Sequence, residues 1–547
     1  MFPENENPAI EQPFSFKEVK NCLRRLKSGK SPGCDGIPNE LLKNLPTNWI
    51  LYIQAMFNRI LEIGETPVCW SEVVLTMLHK KGDVNDPNNF RGIALVNCIA
   101  KVFTQLVNQR LVSWAADNNL IPEEQAGFLK GRGCQDNGAS CFGLFVDFRR
   151  AFDSIPHHLL WPKLLSIGLS KKIVKILRCI YNKTTLRVRS NGDFSKPVKV
   201  TTGVLQGETL SPLLFILFIS DIVSFFRDKG LTGLQLNGLR DLLMLLYADD
   251  LVILLRRQMD VLKALRALED RFRKKLPKSF NYKNSAVEVV NSYVYLGTTV
   301  TTTATGRRAA LDVVKKSNAA CSVSLGILTR LHADSWAGKQ KIYGAIVRTT
   351  LLYLAGIWGL EHLETIEKAQ VGFFKRLLQL PRCTPGYAIR LETGVSPLAA
   401  QVFDAALRWT TRILKMDNNR LPKVCFLRLL ELSNLEKQHT AANNRPRNWV
   451  SQLRSILCVL KHEHLDKLTP AVWESKRNDL VSGYTKLLQK ADLERYNNSS
   501  SCQIILRQAP SYSAAKYLKR CPYYALLTSK HSSDWPPSML AISQSTE

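Results

Sequence analysis

The stretch Leu242–Leu255, LLMLLYADDLVILL, sets the strongest limit on what this chain can become. Two adjacent carboxylates, Asp249 and Asp250, stand between two apolar runs, with Tyr247-Ala248 in front of them. Each run is too short for an independent helix and long enough for a buried strand, so the pattern reads as a tight hairpin. Two carboxylates buried side by side raise each other's pKa, and desolvation adds to that cost. Bound divalent cations reverse it, and a pair of them is what phosphoryl transfer requires. The competing reading is a buried helix interrupted by two polar residues. The hairpin alone does not decide between them; the rest of the chain does.

The 547 residues are too many for one core and predict about two to four domains. With 45% hydrophobic residues the composition excludes wholesale disorder. Lys and Arg total 75 against 46 Asp and Glu, a net charge of +29, which points to a polyanionic partner and most simply nucleic acid. The rival, an anionic membrane surface, lacks a long amphipathic basic helix to support it. The 13 cysteines are scattered without a C-x-x-C pair, which argues for a reducing compartment and against a disulfide framework. Cys458, His462 and His464 have no matching second pair nearby and do not read as a zinc site. The polar start MFPENENPAIEQ does not resemble a signal peptide. The longest apolar run, Leu210 to Phe226, contains Pro212 and Asp221 and reads as a core helix rather than a membrane span. The expectation is an intracellular protein, nuclear and/or cytoplasmic, with no membrane partner. The basic clusters Arg271–Lys275 and Arg307-Arg308 are compatible with nuclear import.

Taken in order, residues 14–45 predict an amphipathic helix through Phe16, Val19, Cys22, Leu23 and Leu26, the loop SGKSPGCDGIP, and a second helix over Asn39–Leu45. Lys27 and Lys30 put charge on that loop. Trp70 to Leu78 reads as a strand, and HKKGDVNDPNNFRGIAL as a basic flap carrying Lys80, Lys81 and Arg91, a shape suited to phosphate oxygens. A helix follows over Ile99–Ala116. FGLFVDF, Phe142–Phe148, reads as a strand ending in Asp147, where a two-metal site would need its third ligand. Asp153 reads as the cap of a helix opened by Pro156 and stopped by Gly168. Strands over Leu186–Val188 and Val198–Thr201 lead into GVLQGETLSPLLF. There Gly203 and Gly207 let backbone approach a ligand closely, Gln206 offers donor and acceptor, and Ser211 caps an all-apolar core helix with Pro212 at its first position.

The ordered set FRGIAL, QAGFLKGRG, FVDFRRAFD, GVLQGETLSPLLF and LLYADDLVIL resembles the reverse transcriptase domain of non-LTR (LINE-type) retrotransposons. SGKSPGCDGIPNELLK resembles the N-terminal segment those enzymes carry, and together the motifs span about Lys27 to Thr299. The resemblance implies an α+β right-hand polymerase: fingers, a palm with an antiparallel sheet, a helical thumb, and here a mostly helical C-terminal region. It implies that Asp147, Asp249 and Asp250 hold two Mg²⁺ ions, or Mn²⁺, and that Phe152 is the gate against a 2′-hydroxyl. Arg91 and Lys80 would hold the triphosphate of an incoming deoxynucleotide, and Gln206 would lie near the templating base. Lys30, Gly203, Gly207 and Tyr247 would face the RNA template and DNA primer.

Two departures from the family pattern matter. Only Gly138–Cys141 intervenes between QDN and the FVDF strand, too short for a crossover between parallel strands. After the helix Val261–Phe272 the Gly-Leu-x-x-Asn turn and its lysine are missing, leaving Lys274, Lys275 or Lys278 as substitutes. The family's endonuclease domain is also not found ahead of the polymerase motifs. These departures keep open a second reading, a degenerate copy that is catalytically inactive and still binds nucleic acid. A polymerase of the telomerase or intron-maturase type shares the chemistry and fits FRGIAL and GVLQGE less well. The expected layout is a fingers extension at 1–70, fingers and palm at 71–305, closed by a strand pair in VEVVNSYVYLGTTVT, and a thumb-like region at 306–432. A polar linker at about 433–449, a helical accessory region at 450–528 and a disordered tail at 529–547 complete it. Within the thumb, Ile342, Ala345, Ile346 and Thr349 mark a helix-core face.

Overall fold

The computed structural model describes residues 7–499 without 80–81, 123–141, 149–150, 191–192, 236–240, 248, 273–280, 283–284, 287–289, 302–305, 332–334, 419, 440–447 and 463–468. Lys80, the QAGFLKGRG motif, the shortened connection at 138–141, the candidate lysines 274, 275 and 278, His464 and the 529–547 tail lie outside the described residues. The chain divides near residue 285 into two compact units.

The first unit begins with a capping box. Ser15 accepts from the Glu18 amide while the Glu18 carboxylate accepts from the Ser15 amide, starting the helix Phe16–Arg24. Arg110, on the helix Cys98–Asp117, pairs with Glu18 at 3.0 Å and lies 4.1 Å over the Phe14 ring, fixing this segment to the core. After a short helical turn at Val68–Trp70 come strand β1 (Glu72–His79) and strand β2 (Phe90–Leu95), paired antiparallel from Val74↔Leu95 to His79↔Phe90. The flap read from sequence is therefore the connection of a hairpin. Strand β3 (Phe142–Asp147) joins a different sheet, so no parallel crossover links it to β2. The parallel pair in this unit is instead β1 with strand β4 (Thr185–Ser190), bridged by the helices His157–Ser166 and Lys171–Asn182 among other elements. The limit placed on the 138–141 connection by a parallel crossover does not apply.

The second sheet holds Met244–Tyr247 and Asp250–Leu255 as an antiparallel hairpin, with β3 on the other edge of Asp250–Leu255. Tyr247 pairs with Asp250, so two residues connect the strands, Asp249 being the second. The run Leu210–Phe226 forms two helices, Ser211–Phe218 and Ile222–Asp228, not the one expected. The break falls at Asp221, whose carboxylate pairs with both Lys163 and Arg271 and holds the corner open to charge.

In the second unit, one core takes in Ala309, Val313, Tyr343, Phe373, Phe403, Leu453, Trp473 and Tyr484. Residues expected in a separate accessory region at 450–528 thus share their core with the helices that start at Arg307. The expected linker at 433–449 is corrected as well. The helix Leu421–His439 runs through its first half, Ser433 is buried and bonded to Arg454, and Asn448 caps the helix Trp449–Val459. Tyr293 and its neighbours do form a hairpin, Ser292–Tyr295 with Thr298–Thr301. That hairpin belongs to this unit rather than to the acidic sheet: Lys316 and Tyr353 donate to its turn carbonyls at Gly297 and Leu296. The buried face of the helical segment around residue 345 is Tyr343, Val347 and Leu351, whereas Ala345 and Thr349 are exposed. That face continues from Trp336 and Lys339 in the preceding turn at ordinary helical spacing, and a π-helical stretch, Tyr343–Arg348, lies within it. Among the described residues no single helix is long and apolar enough to cross a membrane.

Candidate active site

The apolar residues flanking the acidic pair anchor it. Met244, Leu246, Leu251, Ile253 and Leu255 are all at most 1% exposed, so they fix the hairpin's register against the core. Val252 and Leu254 on the opposite face are buried too, so a one-residue slip would chiefly move Asp250 out of its place opposite Asp147. With the register fixed, Asp250 lies directly opposite Asp147 on β3 and opposite Tyr247 on the other strand. Directly paired residues project on one sheet face, so Tyr247, Asp250 and Asp147 form a row across three strands. Asp249 sits in the turn beside that row.

The carboxylates are not buried as a pair in the apolar layer, contrary to the sequence expectation. Asp147 is exposed, and Asp249 and Asp250 are half-buried at the strand ends. The mutual cost survives in reduced form. Partial burial first, then the charges of Asp249 and Asp147, raise the Asp250 carboxyl above its usual range. Among the described residues no basic side chain pairs with any of the three. An oxygen-only, uncompensated acidic set of this kind suits hard divalent cations. Among the described residues, no three acidic, histidine or cysteine side chains converge on one point closely enough to hold an ion as they stand.

The glycine-flanked loop, residues 203–207, packs against the segment that follows β3. It is stitched on one side to the turn after β3, where the Gly203 amide donates to Ile155 (2.8 Å) and the Val204 amide to Phe152 (2.7 Å). On the other side the Ala94 amide of β2 donates to the Gln206 carbonyl at 2.8 Å. Gly203 (φ +83°) has no room for a Cβ, which would stand 2.7 Å from the Asp153 Cα, and one on Gly207 would stand 3.2 Å from the Ala94 oxygen. The close approach these glycines permit here is to the protein's own backbone. The Gln206 side chain spans the same gap: its Oε1 accepts from Arg91 Nε at 3.0 Å, and its Nε2 donates to Asp153 at 3.2 and 3.3 Å.

Asp153 does not cap the following helix; Pro156 occupies that position, without a side-chain bond. Ser211 is likewise not the cap of its helix. Glu208 takes that role, accepting from the Leu210 amide (2.7 Å) and the Ser211 amide (3.2 Å), while the Ser211 hydroxyl donates to the Leu205 carbonyl. Burial raises the Glu208 carboxyl above its usual range. Phe152 is only 8% exposed, its ring centroid 5.2 Å from that of Phe215. Lys30 is exposed on the loop before the helix Asn39–Lys43 and makes no hydrogen bond or ion pair among the described residues. The structure thus brings together Asp147, Asp249, Asp250 and Tyr247 in one group, and Arg91, Gln206, Gly203, Gly207 and Phe152 in another. Asp153 and Glu208 were missed as site residues. A lone acid ahead of a proline or helix gives no signal beyond capping; for Glu208, its place after Gln206-Gly207 was the available clue.

An α+β domain with a carboxylate hairpin set against an acidic strand end is of the polymerase type. Comparison with known proteins agrees. The family described as reverse transcriptase (RNA-dependent DNA polymerase) matches residues 78–300. The chain is similar, 27% identical over 409 residues, to the Probable RNA-directed DNA polymerase from transposon X-element of Drosophila melanogaster, covering 65% of this chain and 43% of that protein. It is 23% identical over 458 residues to the RNA-directed DNA polymerase from mobile element jockey of the same species, covering 74% of this chain and 49% of that protein. To a transposon TX1 protein of Xenopus laevis it is 28% identical over 277 residues, 48% of this chain and 21% of that protein. The chain thus spans less than half the length of these relatives. Residues 78–300 thus match the reverse transcriptase family, and the similar proteins are named for transposons and mobile elements.

Proposed function

We propose that the chain is an RNA-directed DNA polymerase that copies retroelement RNA from a DNA primer, using deoxynucleoside triphosphates. The observation that carries this reading is the register that sets Asp147 opposite Asp250, with Asp249 in the adjoining turn. In this reading the acidic sheet is the palm, the β1–β2 hairpin part of the fingers, and the helices from Arg307 the thumb. Asp147, Asp249 and Asp250 would hold two Mg²⁺ or Mn²⁺ ions. Bound there, such ions supply charge neutralisation at the phosphate and lower the pKa of the attacking hydroxyl. Arg91, with Lys80, holds phosphate oxygens through charge-assisted hydrogen bonds. Phe152, packed on Phe215, gives the sugar a rigid wall, and Gln206 faces the nascent pair. Tyr247, Lys30 and the Gly203–Gly207 loop border the template and primer.

A second reading, an inactive copy that keeps nucleic-acid binding, draws support from the lack of tight convergence among the three carboxylates. Primer extension on an RNA template with Mg²⁺ or Mn²⁺ separates the two. The wild-type protein is expected to extend the primer, and the Asp249→Ala/Asp250→Ala variant to lose extension by about a thousandfold or more while still binding template–primer. Binding without extension by the wild type would leave the inactive copy standing, and failure of both would reject both.

A further inference from the structure

The Gln206 amide has two chemically different ends, and its neighbours allow only one arrangement of them. A guanidinium can only donate and a carboxylate can only accept. With Arg91 Nε at 3.0 Å and both Asp153 oxygens within 3.3 Å, the oxygen must face Arg91 and the nitrogen Asp153. The flipped amide would set N–H against N–H and oxygen against oxygen. Three separate elements meet in this chain of bonds: β2, the turn after β3, and the loop before the helix Ser211–Phe218. Their backbones are already joined at Ala94–Gln206 and Val204–Phe152, so the side-chain relay is not needed to hold them together. Arg91 and Asp153 are both exposed, where polar contacts add little to folding stability. A polar, surface-exposed relay anchored in the turn that follows the Asp147 strand is better explained by what it orients.

We propose that Asp153 is a positioning residue: it fixes the orientation of the Gln206 amide and thereby holds the Arg91 guanidinium ready for the phosphates of the incoming nucleotide. The inference rests on the polymerase reading of the same site. Without Asp153, the amide is free to rotate and Arg91 loses its acceptor, so nucleotide binding weakens before chemistry does.

The test is steady-state primer extension by the full chain with Asp153→Ala, Gln206→Glu and the double variant Asp153→Asn/Gln206→Glu, varying the deoxynucleotide concentration. Asp153→Ala should raise the nucleotide KM about tenfold, the worth of one charge-assisted hydrogen bond, and change kcat by no more than about twofold. Gln206→Glu places two carboxylates together and should be worse. Asp153→Asn in that background supplies an amide N–H to one oxygen of the new glutamate while Arg91 takes the other, so the double variant should recover most of the lost affinity. An unchanged KM in Asp153→Ala, a loss confined to kcat that follows the melting temperature, or no recovery in the double variant would overturn the relay and leave the polymerase reading intact. Should the wild type fail to extend, equilibrium binding of deoxynucleotide replaces KM. The same pattern of weakening and recovery there supports the relay, and a wild type that binds no nucleotide overturns it together with the polymerase reading.

Discussion

Asp250 shows what one residue at this site costs the fold. Its carboxyl binds a proton more tightly in the folded chain than in the unfolded one, because partial burial and the charges of Asp249 and Asp147 disfavour ionisation. Its contribution to stability is therefore most favourable at low pH and declines as pH rises through the raised folded value, leaving a penalty at neutral pH. Asp250→Asn should melt higher than the wild type in chelator at pH 7, by roughly 1–2 °C given the open setting, and the difference should vanish near pH 3. Equal or lower melting of the variant at pH 7 would contradict the described electrostatics. Adding Mg²⁺ should raise the wild-type melting temperature and leave the variant less changed. The acidic pair was legible in the sequence because apolar runs bracket it on both sides. Asp153 was not, because its partner lies 53 residues away and nothing local distinguishes it from a helix cap.

At the scale of elements, period-two and helical patterns located the carboxylate hairpin, β3 and the helix Cys98–Asp117 to within a residue or two. What the pattern could not convey was partnership between elements. The helix Pro470–Asn497 falls in the expected accessory region, yet its Asp492 accepts two bonds from Arg390, at 2.7 and 2.6 Å, from the helix Gly386–Thr393. Both side chains are nearly buried, 12% and 5% exposed, and Glu367 of the helix Leu363–Leu377 lies on the same guanidinium at 3.6 Å. Arg390→Ala strands two carboxylates in that interior and should cost about 3–5 kcal/mol in urea unfolding of the full chain. A loss under about 1 kcal/mol would place the trio at an open surface instead. A second limit was phase: the apolar spacing at Ile342, Ala345 and Ile346 suggested one helix face, whereas the buried one runs through Trp336, Tyr343 and Val347.

For the whole molecule, the net charge of +29 is the feature most directly tied to a measurable property. Binding to an RNA–DNA template–primer should fall by about three orders of magnitude or more between 50 and 200 mM salt if roughly six to ten phosphates are neutralised. Affinity that barely moves over that range would assign the charge to something other than a nucleic-acid backbone. The division into regions was the least legible property. A polar run at 433–449 has the composition of a linker, but Ser433 and Asn448 turn their polarity inward to bond Arg454 and the Leu429 carbonyl. Composition alone does not reveal whether a polar side chain faces water or a buried partner.

The pairing of Asp147 with Asp250 carries a consequence for how such a chain tolerates change in length. More than a hundred residues separate the two in sequence, but a hydrogen-bond ladder sets their separation in space, roughly 5 Å between paired α-carbons. Segments inserted or lost between β3 and the hairpin, or ahead of β3, alter the path of the chain without lengthening that ruler. A single residue gained within Asp250–Leu255 itself would shift the register, and the side chains beyond it would change sides. Changes in length should therefore be tolerated between the paired strands and not within them.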